Sequence, residues 1–137
     1  MPLPERFSPA DPREWLNRAQ SNLALARARS PQVYLEDLCF EAQQAAEKAI
    51  KAVLMKRDVE FPYVHDLARL LSLLEQAGEQ IPGDVRRAVE LTPYAIVTRY
   101  PGMAKPVSEV QYAEAVKVAE AVVRWAQQRI QDNRPSR

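Results

Sequence analysis

The 137-residue sequence has one cysteine, one histidine and three glycines, and each shortage excludes a class of protein. Because Cys39 has no second cysteine to pair with, an intrachain disulfide is excluded. A zinc site needs three or four Cys, His or carboxylate ligands, so one His and one Cys predict no metal centre. The isolated glycines Gly78, Gly83 and Gly102 form no phosphate-binding loop of the kind found in nucleotide hydrolases. We therefore expect neither a metal nor a cofactor.

The chain also lacks a long apolar run and an excess of charge of one sign. No segment approaches the roughly 18 uninterrupted apolar residues of a membrane-spanning helix. There are 19 Lys and Arg residues against 18 Asp and Glu residues, a net charge of +1. This balance disfavours a generally basic nucleic-acid binder but is compatible with a local basic patch. The N-terminus shows no secretory pattern, so we expect a cytoplasmic protein without membrane association.

Prolines, in contrast, are abundant. Eleven of them divide the chain into segments of helical length. Most segments repeat apolar residues every three or four positions, and none alternates apolar and polar residues as a strand does. The sequence therefore predicts an all-α protein, a bundle of about five helices in a single domain over residues 11–131. Residues 1–10 and 132–137 are polar and contain proline, and we expect them to be tails.

Capping residues and prolines predict where the helices begin and end. Asp or Ser before proline favours a helix start, because the side chain accepts a backbone N–H and proline fits the first turn. In the first helix, Trp15 belongs to a stripe of apolar residues that is expected to face the core. The fourth helix is expected to kink at Pro93 and to bury Val89 and Ile96. The predicted starts are Asp11, Ser30–Pro31, His65–Asp66, Asp84 and Ser108, and the last four helices end near Arg57, Gly78, Tyr100 and Gln131.

The fifth predicted helix is apolar over most of its circumference. A helix with only one narrow polar stripe is usually buried on two sides. One interpretation is a homodimer in which this helix packs against a second copy, and the alternative is a central helix in a monomeric bundle. The apolar residues are Tyr112, Val116, Ala119, Val122, Val123, Trp125, Ala126 and Ile130.

Basic and aromatic residues supply the candidates for ligand binding. Lys48 and Lys51 lie along one face of the second helix, where Glu47 is spaced to pair with Lys51. Arg99 and Tyr100 offer a planar cation and an aromatic ring, which suit phosphate binding and base stacking. The alternative is that the two lysines belong to an ordinary solvated face, and Glu47 is expected to be solvent-exposed.

His65 is the only histidine, the residue type that most often carries protons near neutral pH. It lies beside Asp66 at the start of the third helix, where backbone N–H groups favour an anion. The alternative is that His65 and Asp66 only cap this helix and close the preceding loop.

Three stretches combine these candidates: residues 40–54 (FEAQQAAEKAIKAVL), residues 65–67 (HDL) and residues 94–101, which end in Arg-Tyr-Pro. In this order and spacing they resemble the HEPN domain family, the "higher eukaryotes and prokaryotes nucleotide-binding" domain, over about residues 13–131. The resemblance implies an up-and-down helical bundle that usually dimerises. It also implies, in prokaryotes, a small nucleotidyltransferase partner, often in a toxin–antitoxin pair.

Many HEPN proteins are metal-independent ribonucleases with an Arg, four to six intervening residues and then a His. This sequence departs from that pattern. The required positions before His65, residues 58–60, contain no arginine, and those after Arg99, residues 104–106, contain no histidine. The resemblance therefore does not imply a catalytic pair.

We predict a non-enzymatic, nucleotide- or nucleic-acid-binding HEPN dimer, with a nucleotidyltransferase as an implied partner. Two alternatives remain open: a degenerate ribonuclease toxin, in which His65 and Arg99 meet in space, and a helical interaction scaffold without a ligand. The predicted nucleotide-binding residues are Lys48, Lys51, His65, Asp66, Arg99 and Tyr100.

Overall fold

A computed structural model of the chain describes residues 2–96, 100–102 and 104–131. Within these ranges there are five α-helices, one 3-10 helix and no strand, which confirms the all-α prediction. None of these helices is both long and apolar enough to cross a lipid bilayer. The elements are α1 (Pro12–Ala26), α2 (Leu35–Lys56), α3 (Leu67–Gln76), α4 (Gly83–Arg86), the 3-10 helix (Arg87–Ala95) and α5 (Glu109–Gln131).

Local capping explains why α1, α3 and α5 begin where the sequence predicts. The Asp11 carboxylate accepts a backbone N–H of the first turn of α1, and Pro12 follows it. Asp66 accepts two backbone N–H groups of α3 in the same way. Ser108 and Gln111 exchange two hydrogen bonds of 3.1 and 2.8 Å, the reciprocal pattern of a capping box.

The predicted start of α2 at Ser30–Pro31 is wrong, because these residues form a turn instead. The Ser30 carbonyl accepts the Val33 N–H at 3.1 Å, and its hydroxyl accepts the Gln32 N–H at 3.3 Å. Ser followed by Pro is also a favourable start for a β-turn, so the same dipeptide serves two structures. Tyr34 then has an extended backbone, and α2 begins at Leu35.

The prediction of one kinked helix over residues 84–100 is also wrong. α4 is a single turn, and the chain continues as a 3-10 helix that contains Pro93. Proline has no N–H to donate and its ring disturbs the preceding turn, which disfavours a continuous α-helix. Because a 3-10 helix has three residues per turn, the 3.6-residue pattern fails within it, and Val89 is 41% exposed. Ile96 follows the end of the 3-10 helix and is 55% exposed. Residues 97–99 lie outside the described residues.

The central helix of the bundle is α2. It packs against α1, α5, α3 and the 3-10 helix, and its alanines allow the neighbouring helices to approach closely. The apolar side of α5 is covered by this packing within one chain. This is the arrangement expected of a buried helix in a monomeric bundle, the alternative to a dimer interface along α5. Dimerisation stays a prediction. The fully buried alanines of α2 are Ala42, Ala45, Ala46, Ala49 and Ala52.

The segment before α1, residues 2–10, folds back along that helix. The Asn17 side-chain amide donates to the Glu5 carbonyl at 2.7 Å, and the Trp15 indole N–H donates to the Pro9 carbonyl at 2.8 Å. We call this stretch the N-terminal segment. Its contacts give it a defined position beside the first turns of α1.

Candidate functional site

A buried carboxylate, Glu47, is the centre of a polar cluster on α2. Its Oε1 accepts the Gln43 side-chain amide at 2.9 Å and lies 2.8 Å from His65 Nδ1. Its Oε2 accepts Lys51 Nζ at 3.0 Å, and the side chains of Glu47 and Lys51 are only 5% and 7% exposed. The prediction that Glu47 is solvent-exposed is therefore wrong. We call Gln43, Glu47, Lys51 and His65 the Glu47 cluster.

Two opposing effects set the pKa of Glu47. Burial raises the pKa of the carboxyl, but hydrogen bonds from His65, Gln43 and Lys51 lower it by more, so it lies below its ordinary value. The group is therefore an anion near neutral pH. Its charge compensates the buried ammonium of Lys51, which would otherwise be very unfavourable away from water.

Phe61 connects the Glu47 cluster to α1. The Lys51 ammonium lies 5.6 Å from the centre of the Phe61 ring, in a cation–π contact. Trp15 of α1 meets the same ring edge-to-face, with ring centres 6.3 Å apart and an angle of 82° between the planes. The Phe61 ring therefore contacts both Lys51 of the buried ion pair and Trp15 of α1.

A pocket of about 400 Å³ lies beside Trp15, where the N-terminal segment, α1 and α2 meet. Its lining combines three cations, two aromatic rings and a single carboxylate. We call it the Trp15 pocket. The residues that line it are Arg6, Arg18, Lys48, Phe7, Trp15, Glu14 and Pro9.

The charges in the Trp15 pocket are only partly compensated. Glu14 accepts Arg18 Nε at 2.9 Å, so this carboxylate and this guanidinium form a pair. Lys48 Nζ donates to the neutral amide oxygen of Asn22 at 2.9 Å. Burial lowers the pKa of Lys48, although the nearby Glu41 carboxylate offsets part of that effect. The pocket is thus suited to an anion, since an anion would stabilise the half-buried ammonium.

The predicted site residues of the second and third helices lie close together. Lys51 and His65 contact the two oxygens of Glu47, and Lys48 follows Glu47 on α2 and lines the Trp15 pocket. Asp66 is the N-cap of α3. Lys51 is buried in its ion pair, so it contributes to the site through Glu47 rather than by direct contact with a ligand.

Tyr100 lies apart from these residues. It lines a second pocket of about 260 Å³ together with Tyr34 and Asp37, at the start of α2. Lys48 lies eleven positions after Asp37 on α2, which corresponds to about 16 Å along a helix. Arg99 lies outside the described residues.

Both the sequence and the fold match known proteins. The family model of the HEPN domain matches residues 12–130. The chain belongs to the HEPN domain family. Among solved structures, TT1696 from Thermus thermophilus is 29% identical with a TM-score of 0.74, over 86% of this chain and 97% of that one. ST0689, an archaeal HEPN homologue, is 26% identical with a TM-score of 0.71, over 88% and 98%. No curated protein matches the chain.

The Trp15 pocket extends beyond the HEPN match. The match begins at residue 12, whereas Arg6 and Phe7 belong to the N-terminal segment. Sequence analysis missed both residues and assigned Trp15 to the core alone. A signal existed in part, because Trp15 and Arg18 are three residues apart and therefore neighbours on one helix face. No sequence pattern indicates that the N-terminal segment packs beside them.

Proposed function

We propose that this HEPN protein is a non-enzymatic module that binds a nucleotide or nucleic acid and acts as a dimer. The observation that carries the proposal is the Trp15 pocket, where Lys48 lies with two arginines and two aromatic rings. Guanidinium and ammonium groups bind phosphate, and aromatic faces stack on bases. The pocket volume of about 400 Å³ falls in the usual range of small-ligand sites.

We expect weak nucleotide binding, with a dissociation constant between micromolar and millimolar, about −4 to −8 kcal/mol. The contacts are few and partly exposed, so they are screened by salt over about 8–10 Å. Isothermal titration calorimetry with ADP at low and high salt measures both properties. Lys48→Gln should weaken binding about tenfold, since it removes a charged hydrogen bond to phosphate.

Lys117→Gln is the matched control, because Lys117 is exposed on α5 and does not line the Trp15 pocket. Its affinity for ADP should equal that of the wild type. If ATP, GTP, ADP and short RNA all fail to bind at low salt, the binding proposal is wrong. The protein would then be an interaction scaffold without a ligand.

For the assembly, we expect the protein to sediment near twice 15.6 kDa at micromolar concentration. The proposal is supported by apolar side chains left exposed at the start of α2, where Tyr34 is 77% and Tyr100 is 56% exposed. A two-fold interface is the usual form of a homodimer. A monomeric profile at every concentration tested by analytical ultracentrifugation would rule out the dimer.

A nucleotidyltransferase partner is the part of the proposal that rests on family resemblance alone. HEPN proteins of prokaryotes are found beside small nucleotidyltransferases, and we propose the same pairing here, as in a toxin–antitoxin pair. A gene for a small nucleotidyltransferase next to this one, and a stable complex after co-expression, would support the pairing. Which chain is toxin and which is antitoxin would follow from growth assays of each gene alone.

The contact between Glu47 and His65 favours a second candidate, a degenerate ribonuclease. A carboxylate that binds one imidazole nitrogen orients the ring for general acid–base chemistry at the other nitrogen. Because the spaced Arg and His of HEPN nucleases is missing, we nevertheless expect no cleavage of single-stranded RNA, in the presence of chelator, above the rate of a His65→Ala variant. Cleavage that disappears in this variant would instead establish the ribonuclease, with His65 as the acid or base.

A further inference from the structure

The N-terminal segment supplies three of the residues that line the Trp15 pocket, Arg6, Phe7 and Pro9. We infer that this segment forms one side of the nucleotide-binding site. Arg6 and Lys48 bind the phosphate, and Phe7 and Trp15 flank the base. The inference rests on the proposed nucleotide binding and extends it to residues outside the HEPN match. The ligand class is a nucleotide with a free terminal phosphate.

The segment has a defined position because it is bonded to α1 at three points. The bonds join its backbone to side chains of the first turns of α1, so they fix residues 5–9 without a secondary structure of their own. They are Asn17 Nδ2 to the Glu5 carbonyl (2.7 Å), the Phe7 N–H to Glu14 Oε1 (3.0 Å) and Trp15 Nε1 to the Pro9 carbonyl (2.8 Å).

Both aromatic rings are held in place before any ligand arrives. The Trp15 ring is fixed by its bond to Pro9 and by the edge-to-face contact with Phe61. One face of the Phe7 ring is covered by the Arg13 guanidinium at 4.0 Å. Because these rings lose little freedom on binding, a base gains stacking at a low entropic cost.

The charges of the pocket place the phosphate at Arg6 and Lys48. The Glu14 carboxylate accepts hydrogen bonds from the Phe7 N–H and from Arg18 Nε, so Arg18 already compensates its charge. Within the described part of the chain, Arg6 forms no ion pair within 4.0 Å, and Lys48 donates only to the neutral Asn22. Neither cation forms a direct ion pair, although Glu14 lies near Arg6 and Glu41 lies near Lys48, so both can bind the two negative charges of a terminal phosphate.

The test compares ADP binding by the full chain with binding by segment variants. Arg6→Gln should raise the dissociation constant of ADP about tenfold, because it removes a charged phosphate contact. Phe7→Ala should raise it at least about fivefold, since one stacking surface is lost. Arg69→Gln on α3, an exposed arginine outside the pocket, is the matched control and should leave the constant unchanged.

Tryptophan fluorescence reports where ADP binds. Trp15 lines the pocket, whereas Trp125 is buried in α5 with 7% exposure. ADP should therefore quench the wild type, and the quenching should disappear in Trp15→Phe. Quenching that persists in Trp15→Phe would show binding elsewhere and overturn the inference.

The outcomes separate this inference from the proposed function. If Lys48→Gln weakens ADP binding while Arg6→Gln and Phe7→Ala leave it within twofold of wild type, the segment is not part of the site, although the binding proposal stands. If the wild type binds no ADP, the inference fails, and ATP, GTP and RNA then decide the proposed function. Thermal melting of each variant checks that it is folded. If Phe7→Ala melts at a lower temperature than the wild type, Arg6→Gln alone decides the test. Arg6 makes no ion pair with the described residues, so its substitution should leave the fold intact.

Discussion

Replacing Glu47 by alanine should lower the free energy of unfolding by about 3–5 kcal/mol. The change removes the only carboxylate bonded to Lys51 among the described residues and leaves an ammonium that is 7% exposed without its counter-charge. Gln43 and His65 lose an acceptor at the same time. Urea denaturation of the wild type and Glu47→Ala measures the difference, provided that both show the same slope with denaturant.

The double variant Glu47→Leu, Lys51→Met is the control for this interpretation. Replacing both members of a buried ion pair with apolar side chains of similar size is often neutral or stabilising. The double variant should therefore be more stable than Glu47→Ala by several kcal/mol, on the order of the loss itself. If Glu47→Ala costs less than about 1 kcal/mol, Lys51 reaches water when Glu47 is absent and the pair does not anchor the cluster.

The contribution of Glu47 should depend on pH. Because the pKa of this carboxyl is lower in the folded protein than its ordinary value of 4.5, its stabilisation is fully present above that value. It is lost as the pH falls through the lower pKa of the folded state. The stability difference between wild type and Glu47→Ala should accordingly be constant near neutral pH and shrink in acid.

Much of the fold follows from short-range patterns in the sequence. Asp11, Asp66 and Ser108 start their helices as predicted because capping involves only residues two or three positions apart. The two wrong predictions of helix boundaries arise where the same local sequence pattern is compatible with two different structures. Ser30 before proline forms a turn, and Pro93 is accommodated by a 3-10 helix rather than by a kink.

The candidate site was less predictable, because it is made by tertiary contacts. Lys48 was identified by its chemistry, but Glu47 looked like an ordinary surface residue of an i, i+4 pair. Glu47 contacts His65 and its partner Lys51 contacts Phe61, and both of these residues come from the loop before α3. Sequence alone cannot show which face of α2 such a loop covers.

A second large effect is expected in the core of the HEPN bundle. Leu54→Ala should lower the free energy of unfolding by about 2–5 kcal/mol, because it removes buried methyl groups and leaves a cavity. Leu54 lies near the end of α2 and is completely buried. Chemical denaturation with far-UV circular dichroism measures the loss.

Leu25→Ala is the matched control, since it is the same substitution on a helix of the same bundle. Leu25 lies in the last turn of α1 and is 50% exposed, so it has less area to lose and water can fill the space. Its loss should be less than about 1 kcal/mol. A loss at Leu54→Ala as small as the one expected at Leu25→Ala would mean that the end of α2 repacks around the missing side chain. The small α2 alanines, which allow α1 and α5 to approach closely, would then not hold this end of the helix rigidly in place.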